Sequence, residues 1–242
     1  MKIALLGYGA MGKEIDRIAL ERGHEISGRF DIETPASNTT LNGDVAIDFS
    51  SAGAVSYNTQ LCAECGINLV IGTTGWNSER ENIETIVTNT GIGIVYGSNF
   101  SVGMQLFFRI VERAAELVNG TPEYDVLLHE LHHHRKADSP SGTALSLADI
   151  VLQNVTRKQS VLPETSHGRI APDVLHVTSS RIGEITGTHT LYMDSLADTI
   201  ELTHRAKNRS GFALGAVLAA EWIAGKNGFH DFTDIFESAV AG

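Results

Sequence analysis

Over the first hundred residues, short apolar runs alternate with longer stretches of helical spacing. Lys2–Leu6, Glu25–Phe30, Val45–Phe49, Asn68–Ile71 and Ile92–Tyr96 read as strands. Between them Lys13–Arg22 (apolar at Ile15, Ile18 and Ala19), Ala54–Cys65 and Ser78–Thr88 read as helices, Ser78 being suited to cap the last. Repeated βα units predict a parallel sheet with right-handed crossovers. Val102–Val118 continues as an amphipathic helix with Leu106, Ile110, Ala114 and Leu117 on one face. After Gly120-Thr121-Pro122 the pattern changes. Tyr124–Leu128 is extended and runs into a histidine cluster, and Thr143–Val155 is helical. Leu175–Ser180, Glu184–Tyr192 and Thr199–Thr203 then follow as strands without helices between them, which indicates a separate, largely antiparallel layer. Phe212–Ile223 is an apolar helix and Phe229–Phe236 an amphipathic tail. The expected plan is one α/β domain from 1–102 and 209–242, with 103–208 inserted as an α+β domain.

The first strand ends in Gly7-Tyr8-Gly9-Ala10-Met11-Gly12, a G-x-G-x-x-G turn opening a helix. Small residues there let backbone approach a pyrophosphate, and the helix start supplies unpaired N–H groups. The second strand ends at Asp31, where a carboxylate partner for an adenosine ribose is expected. Later strands end in Asp48-Phe49-Ser50, Gly72-Thr73-Thr74-Gly75 and Gly97-Ser98-Asn99-Phe100-Ser101. Ligands of such sheets lie beyond the strands' carboxyl ends, so these small-residue clusters favour a cofactor cleft over plain turns. The formal charge of −11, from 18 basic against 29 acidic residues, argues against a nucleic-acid partner. No apolar run spans a bilayer and no cleavage pattern follows the opening strand, so a cytoplasmic protein without a membrane partner is expected. Cys62 and Cys65 form a C-x-x-C pair, but their helical spacing suits an apolar face better than a redox centre.

The segment His129–Ala144 carries the distinctive chemistry. His129-Glu130-Leu131-His132-His133 fits the H-E-x-x-H zinc pattern, which requires a helix. The extended entry before it, and the breakers Asp138, Pro140 and Gly142 after it, oppose a helix, so no metal is expected. Ser141 or Thr143 can cap the next helix, and the free N–H groups of its first turn form a cradle for a carboxylate or phosphate. Lys136 lies close by in sequence to add positive charge.

These residues resemble one family. Glu130-Leu131-His132-His133 through Lys136, and then Asp138-Ser139-Pro140-Ser141-Gly142-Thr143-Ala144, match the signature E-x-H-H-x-x-K-x-D-x-P-S-G-T-A of the 4-hydroxy-tetrahydrodipicolinate reductases (dihydrodipicolinate reductases). The similarity extends in order through the glycine turn, Asn99–Gly103, Arg181-Ile182-Gly183, Gly187-Thr188-His189 and Arg209–Ala216. The resemblance implies an N-terminal Rossmann-like parallel-sheet domain with an inserted α+β substrate and oligomerisation domain on a mixed sheet. It implies a homotetramer joined through that sheet, a small dicarboxylate substrate of lysine and diaminopimelate biosynthesis, and NADH or NADPH as cofactor. His132 would be the proton donor and acceptor, and Lys136 a proton donor. His133, Ser141, Gly142 and Thr143 would hold the substrate. Gly7, Tyr8, Gly9, Ala10, Met11, Gly12 and Asp31 would hold the pyrophosphate and adenosine ribose. Phe49, Gly72, Thr73, Thr74, Ser98, Asn99 and Phe100 would line the nicotinamide end.

Two departures from the family pattern bear on the cofactor. The glycine loop lacks the extra residue and the Arg of longer members, and Ile32 follows Asp31 where some members have Arg. A carboxylate suits a free ribose diol and repels a 2′-phosphate, so NADH is expected to serve at least as well as NADPH unless Lys13 or Arg29 supplies the missing cation. Two rival readings keep the cofactor half. Another two-domain oxidoreductase, such as an amino-acid dehydrogenase, has no use for the His132-to-Thr143 signature, and a dinucleotide-sensing regulator would lack an acid–base pair.

Overall fold

The computed structural model describes residues 1–241. In chain order the elements are β1 (Lys2–Leu6), α1 (Ala10–Glu21), β2 (Glu25–Phe30), β3 (Val45–Asp48), α2 (Ala52–Cys65), β4 (Asn68–Ile71), α3 (Arg80–Thr90) and β5 (Gly93–Tyr96). There follow α4 (Val102–Asn119), β6 (Asp125–His132), α5 (Gly142–Asn154), β7 (Ser160–Leu162), β8 (Val174–Arg181), β9 (Thr188–Asp194) and β10 (Thr199–Arg205). The chain closes with α6 (Ser210–Ile223), β11 (Gly228–Asp231) and α7 (Phe232–Ala241). It forms two compact units, Met1–Val102 with Arg209–Gly242, and Gly103–Asn208.

In the first unit six strands pair in parallel in the order β11-β5-β4-β3-β1-β2. Successive side chains of a strand face opposite sides. Ile3, Leu5, Val45 and Ile47 therefore meet α1, α6 and α7, while Ala4, Leu6, Ala46, Leu69 and Ile71 pack with α2 and α3. The order reverses between β1 and β3, which opens the crevice where ligands of such sheets bind. Cys62 is buried in the α2–α3 core, and that burial, with Asp48 next, pushes its thiol pKa up, as expected of a packing residue.

The second unit is a five-stranded mixed sheet, β10-β9-β6-β8-β7. β6 runs parallel to β8 and antiparallel to β9, so the layer is not antiparallel throughout. α4 and α5 cover one face, where Phe107, Phe108, Val111, Leu147 and Val151 pack on Val126, Leu128, Val177 and Leu191.

Several elements differ from the sequence reading. The buried stripe of α4 is Met104, Phe107, Phe108, Val111, Ala115 and Val118, whereas Leu106, Ile110 and Leu117 are half exposed. The helix carries two apolar stripes, and the one bearing two phenylalanines buries the larger area. Ser78 does not cap α3. It lies in a 3₁₀ turn, Asn77–Glu79, that follows the buried Trp76, whose indole donates to Thr73 O at 2.7 Å. The amphipathic tail begins as an edge strand, β11, because Phe229 stacks on Tyr96 at 4.4 Å between ring centres beside β5. β7 has three residues, too few to show a period. Glu184 lies in a turn and 185–187 in a loop, so β9 starts only at Thr188. No helix among the described residues is long and apolar enough to cross a membrane.

Candidate active site

The glycine turn sits between the ends of β1 and β3 and shows why each glycine is needed. Gly7 has φ +96°, and a Cβ there would strike the Phe49 carbonyl. A Cβ on Gly12 would strike the Gly7 carbonyl, so the helix could not start so close to the strand. Gly9 faces open space, which leaves its backbone accessible to a phosphate. A cleft of about 400 Å³ opens beside them, lined among others by Tyr8, Asp31, Ile32, Phe49, Ser50 and Tyr57. Replacing Gly12 by Val should abolish NADH binding in a fluorescence titration; unchanged affinity would refute this assignment.

Asp31 ends β2 and turns the chain. Its Oδ1 accepts from Glu33 N at 2.9 Å, Thr34 N at 2.9 Å and Thr34 Oγ1 at 3.0 Å, which holds its pKa below the usual carboxylate value. Those bonds leave Oδ2 for a ribose hydroxyl. Arg29 is otherwise engaged: Nε and Nη2 grip Asp16 at 2.6 and 3.0 Å, and Tyr8 Oη donates to the same carboxylate at 2.5 Å. No Lys or Arg is among the described residues lining the cleft.

The Phe49 ring lies where a Cβ on Gly72 would be, which brings the loops after β3 and β4 together. Thr73 Oγ1 donates to Asp48 Oδ1 at 2.8 Å. Ser50 N and Oγ reach the same oxygen at 2.8 and 2.6 Å, and Asn58 Nδ2 reaches Oδ2 at 2.8 Å. Asp48 thereby ties together the loops after β3 and β4. Asp48→Ala would strand these donors and is expected to cost on the order of 3 kcal/mol of stability. Urea midpoints measure it, and a change below about 1 kcal/mol would contradict the network's importance. Thr74 and Ser98 are exposed and Asn99 is half-buried. The Phe100 ring is buried and stacks on Phe232 at 4.6 Å, so only its backbone remains for a ligand.

In the second unit β6 presents Val126, Leu128, Glu130 and His132 alternately to the helix-covered side. The strand ends at His132, and His133 and His134 follow in the loop and turn beyond it. The H-E-x-x-H pattern is extended here, and His129 Nδ1 pairs with Thr178 Oγ1 at 2.7 Å. Ligand-type atoms of Glu130, His132 and His189 do lie within 4.8 Å of one another. The Glu130 carboxylate is already taken, however, by Ser141, Ser179 Oγ at 2.9 Å and Arg181 Nη2 at 3.1 Å. A guanidinium so placed repels a metal dication, which makes this set suited to proton chemistry.

His132 is 8% exposed, and burial is the main reason its pKa falls to about 4, against a smaller upward pull from Glu130. The charges of Lys136 and Arg181 add to the lowering. Between pH 6.5 and about 4 the unfolded chain therefore binds a proton that the folded chain refuses, so stability falls as pH drops through that window. His132→Gln should flatten the dependence of the urea midpoint on pH there; an unchanged slope would place the imidazole in water.

Lys136 Nζ contacts Asp138 at 2.8 Å, in the turn that carries the cis Ser139–Pro140 bond. His133 Nδ1 is buried without a partner among the described residues. Ser141 caps α5, its Oγ accepting from Ala144 N at 3.2 Å. Its own N–H and hydroxyl both donate to Glu130, so Ser141 builds the cradle from beneath. The exposed Gly142 and half-buried Thr143 form the first turn of α5 that an anion would meet. Glu130, Arg181 and His189 carried no assigned role in the sequence reading. The readable signal was a charged residue at an inward position of an otherwise apolar alternation.

Models of the N-terminus and C-terminus of dihydrodipicolinate reductase match residues 1–100 and 103–236. The chain is 40% identical over 239 residues to 4-hydroxy-tetrahydrodipicolinate reductase of Christiangramia forsetii, covering 97% of each chain. It is 39% identical over 241 residues to the enzyme of that name in Methanosarcina mazei, covering 96% of this chain and 88% of the relative. Its fold matches a dipicolinate-bound dihydrodipicolinate reductase from Paenisporosarcina sp. TG-14 with a TM-score of 0.77 and 22% identity, over 97% and 99% of the two chains. With both halves matched and the identity running from end to end, the chain belongs to the dihydrodipicolinate reductase family.

Proposed function

We propose that this chain reduces 4-hydroxy-tetrahydrodipicolinate to tetrahydrodipicolinate with a nicotinamide cofactor, in lysine and diaminopimelate biosynthesis in the cytoplasm. The observation that carries the reading is the polar end of β6. There a buried imidazole, a lysine and the start of a helix stand together in a family whose models match both halves of the chain. Unit 1–102 with 209–242 serves the dinucleotide and unit 103–208 the substrate. Gly7 to Gly12 and Asp31 hold the pyrophosphate and adenosine ribose, and the loops carrying Phe49, Gly72 to Thr74 and Ser98 to Phe100 serve the nicotinamide end.

When bound, NADH or NADPH would supply the hydride, to be added to the conjugated imine that forms once the hydroxyl and a neighbouring ring proton have left as water. The chain must then protonate the electron-rich carbon left behind. His132 carries that proton and Lys136 restores it, a division suited to an imidazole beside a cation. His133 and the Gly142–Thr143 helix start receive the substrate's carboxylates, with Ser141 fixing that start. Protonation of His132 becomes easier once the dianion is in place, because opposite charge favours the charged form.

The sheet face away from α4 and α5 presents Leu127, Leu131 and Tyr192 only half-buried. That face supports assembly of a homotetramer through the sheet. Sedimentation should return a tetramer, and a monomer at micromolar concentration would count against it.

Pyridine-2,6-dicarboxylate tests the substrate class. Calorimetric titration should show it binding in the presence of NADH and competing with substrate, with affinity lost in His133→Ala. A wild-type protein that ignores this dianion would overturn the dicarboxylate reading.

A further inference from the structure

Glu130 is 1% exposed, on the inward side of β6 where apolar residues precede it. A buried carboxylate is costly unless its oxygens are met. Here Oε1 accepts from Ser141 N at 2.9 Å, Ser179 Oγ at 2.9 Å and Arg181 Nη2 at 3.1 Å. Oε2 accepts the Ser141 hydroxyl and lies 3.3 Å from His132 Nδ1 and 3.4 Å from His189 Nε2. Burial raises its pKa, but these donors outweigh burial and hold it well below the usual range, so the group is an anion.

We propose that Glu130 is a positioning residue for the reduction, its one carboxylate setting both the imidazole that moves the proton and the helix start that receives the substrate. The proposal rests on the reading of this site as that of the reductase. Both donors of Ser141 end on Glu130, so the first turn of α5 cannot shift without moving the carboxylate. The same carboxylate faces Nδ1 of His132, which favours the tautomer with its proton on Nδ1 and leaves Nε2 to exchange protons. Nε2 looks toward Gly187, where a Cβ would stand 3.0 Å from it; the glycine keeps that nitrogen approachable. The Nδ1 contact is close but poorly aligned, since that nitrogen makes no hydrogen bond. Catalytic hydrogen bonds are often of this kind before substrate arrives, and a small ring rotation aligns it as the imidazole gains charge.

Steady-state kinetics of Glu130→Gln and Glu130→Asp across pH test this, with NADH titration as the control for folding. Glu130→Gln should keep NADH affinity within about twofold yet lose about tenfold or more in kcat. The limb of its kcat/KM profile that belongs to His132 should move to lower pH, because the attracting charge is gone. A merely structural role would not move that limb. An unchanged limb and kcat in folded Glu130→Gln would overturn the proposal. Should that variant fail to bind NADH, Glu130→Asp decides. It keeps the charge but withdraws the oxygens by one methylene, so it should lose about tenfold in kcat/KM with the limb near its original place. Wild-type kcat/KM in Glu130→Asp would equally overturn the proposal. A wild-type protein that does not oxidise NADH with this substrate would sink the reductase reading itself; an active wild type with indifferent variants would sink only the role of Glu130.

Discussion

His132→Gln is expected to lower kcat by about 10²- to 10⁴-fold while leaving NADH affinity unchanged, the range that loss of a positioned proton donor commonly produces. Glutamine fills much of the same buried space and can hydrogen-bond, but it neither takes up nor releases a proton near neutral pH. The first unit, with its own sheet and cores, has no part in the substitution, so cofactor titration serves as the internal control. Lys136→Ala should act in the same direction. The double variant should fall little further than the worse single one, because residues acting as a unit are not additive. Single-turnover kinetics check this, and a double variant within tenfold of wild type would remove both residues from the chemistry.

The second large effect concerns the cofactor. Wild-type kcat/KM with NADH should equal or exceed that with NADPH. Asp31 offers an unpaired oxygen to a diol, Ile32 beside it is 99% exposed, and Arg29 is held by Asp16. Ile32→Arg places a guanidinium on that free position and should improve NADPH relative to NADH by about tenfold, the gain of one charge-assisted contact to a phosphate. Arg29→Ala should leave the ratio nearly unchanged, since that side chain already grips Asp16 and lies over the Tyr8 ring. A strong NADPH preference in wild type would show that another cation reaches the phosphate.

The fold was readable where local chemistry and the period of the apolar residues agree. The glycine turn, the four strands after it and α5 follow from spacing and breakers alone. The direction of the α4 face did not, because Leu106, Ile110 and Leu117 are as apolar as the stripe that is buried. Only the partner layer decides between them. β11 and β7 depend on neighbouring strands, and a four- or three-residue segment carries no period of its own. At the site, His132, Lys136 and the helix start were legible from residue types and the family signature. That Ser141 is spent on Glu130, and that Arg181 and His189 flank the same carboxylate, are facts of register between β6, β8 and β9. Register is a long-range property, and residues some fifty positions apart gave no local sign of it.

Reductase activity is measured most directly as the fall in absorbance of NADH when freshly prepared 4-hydroxy-tetrahydrodipicolinate is added to the purified chain. Oxidation should depend on both substrate and protein and should be inhibited by pyridine-2,6-dicarboxylate. A folded, NADH-binding protein that consumes no cofactor with this substrate would contradict it.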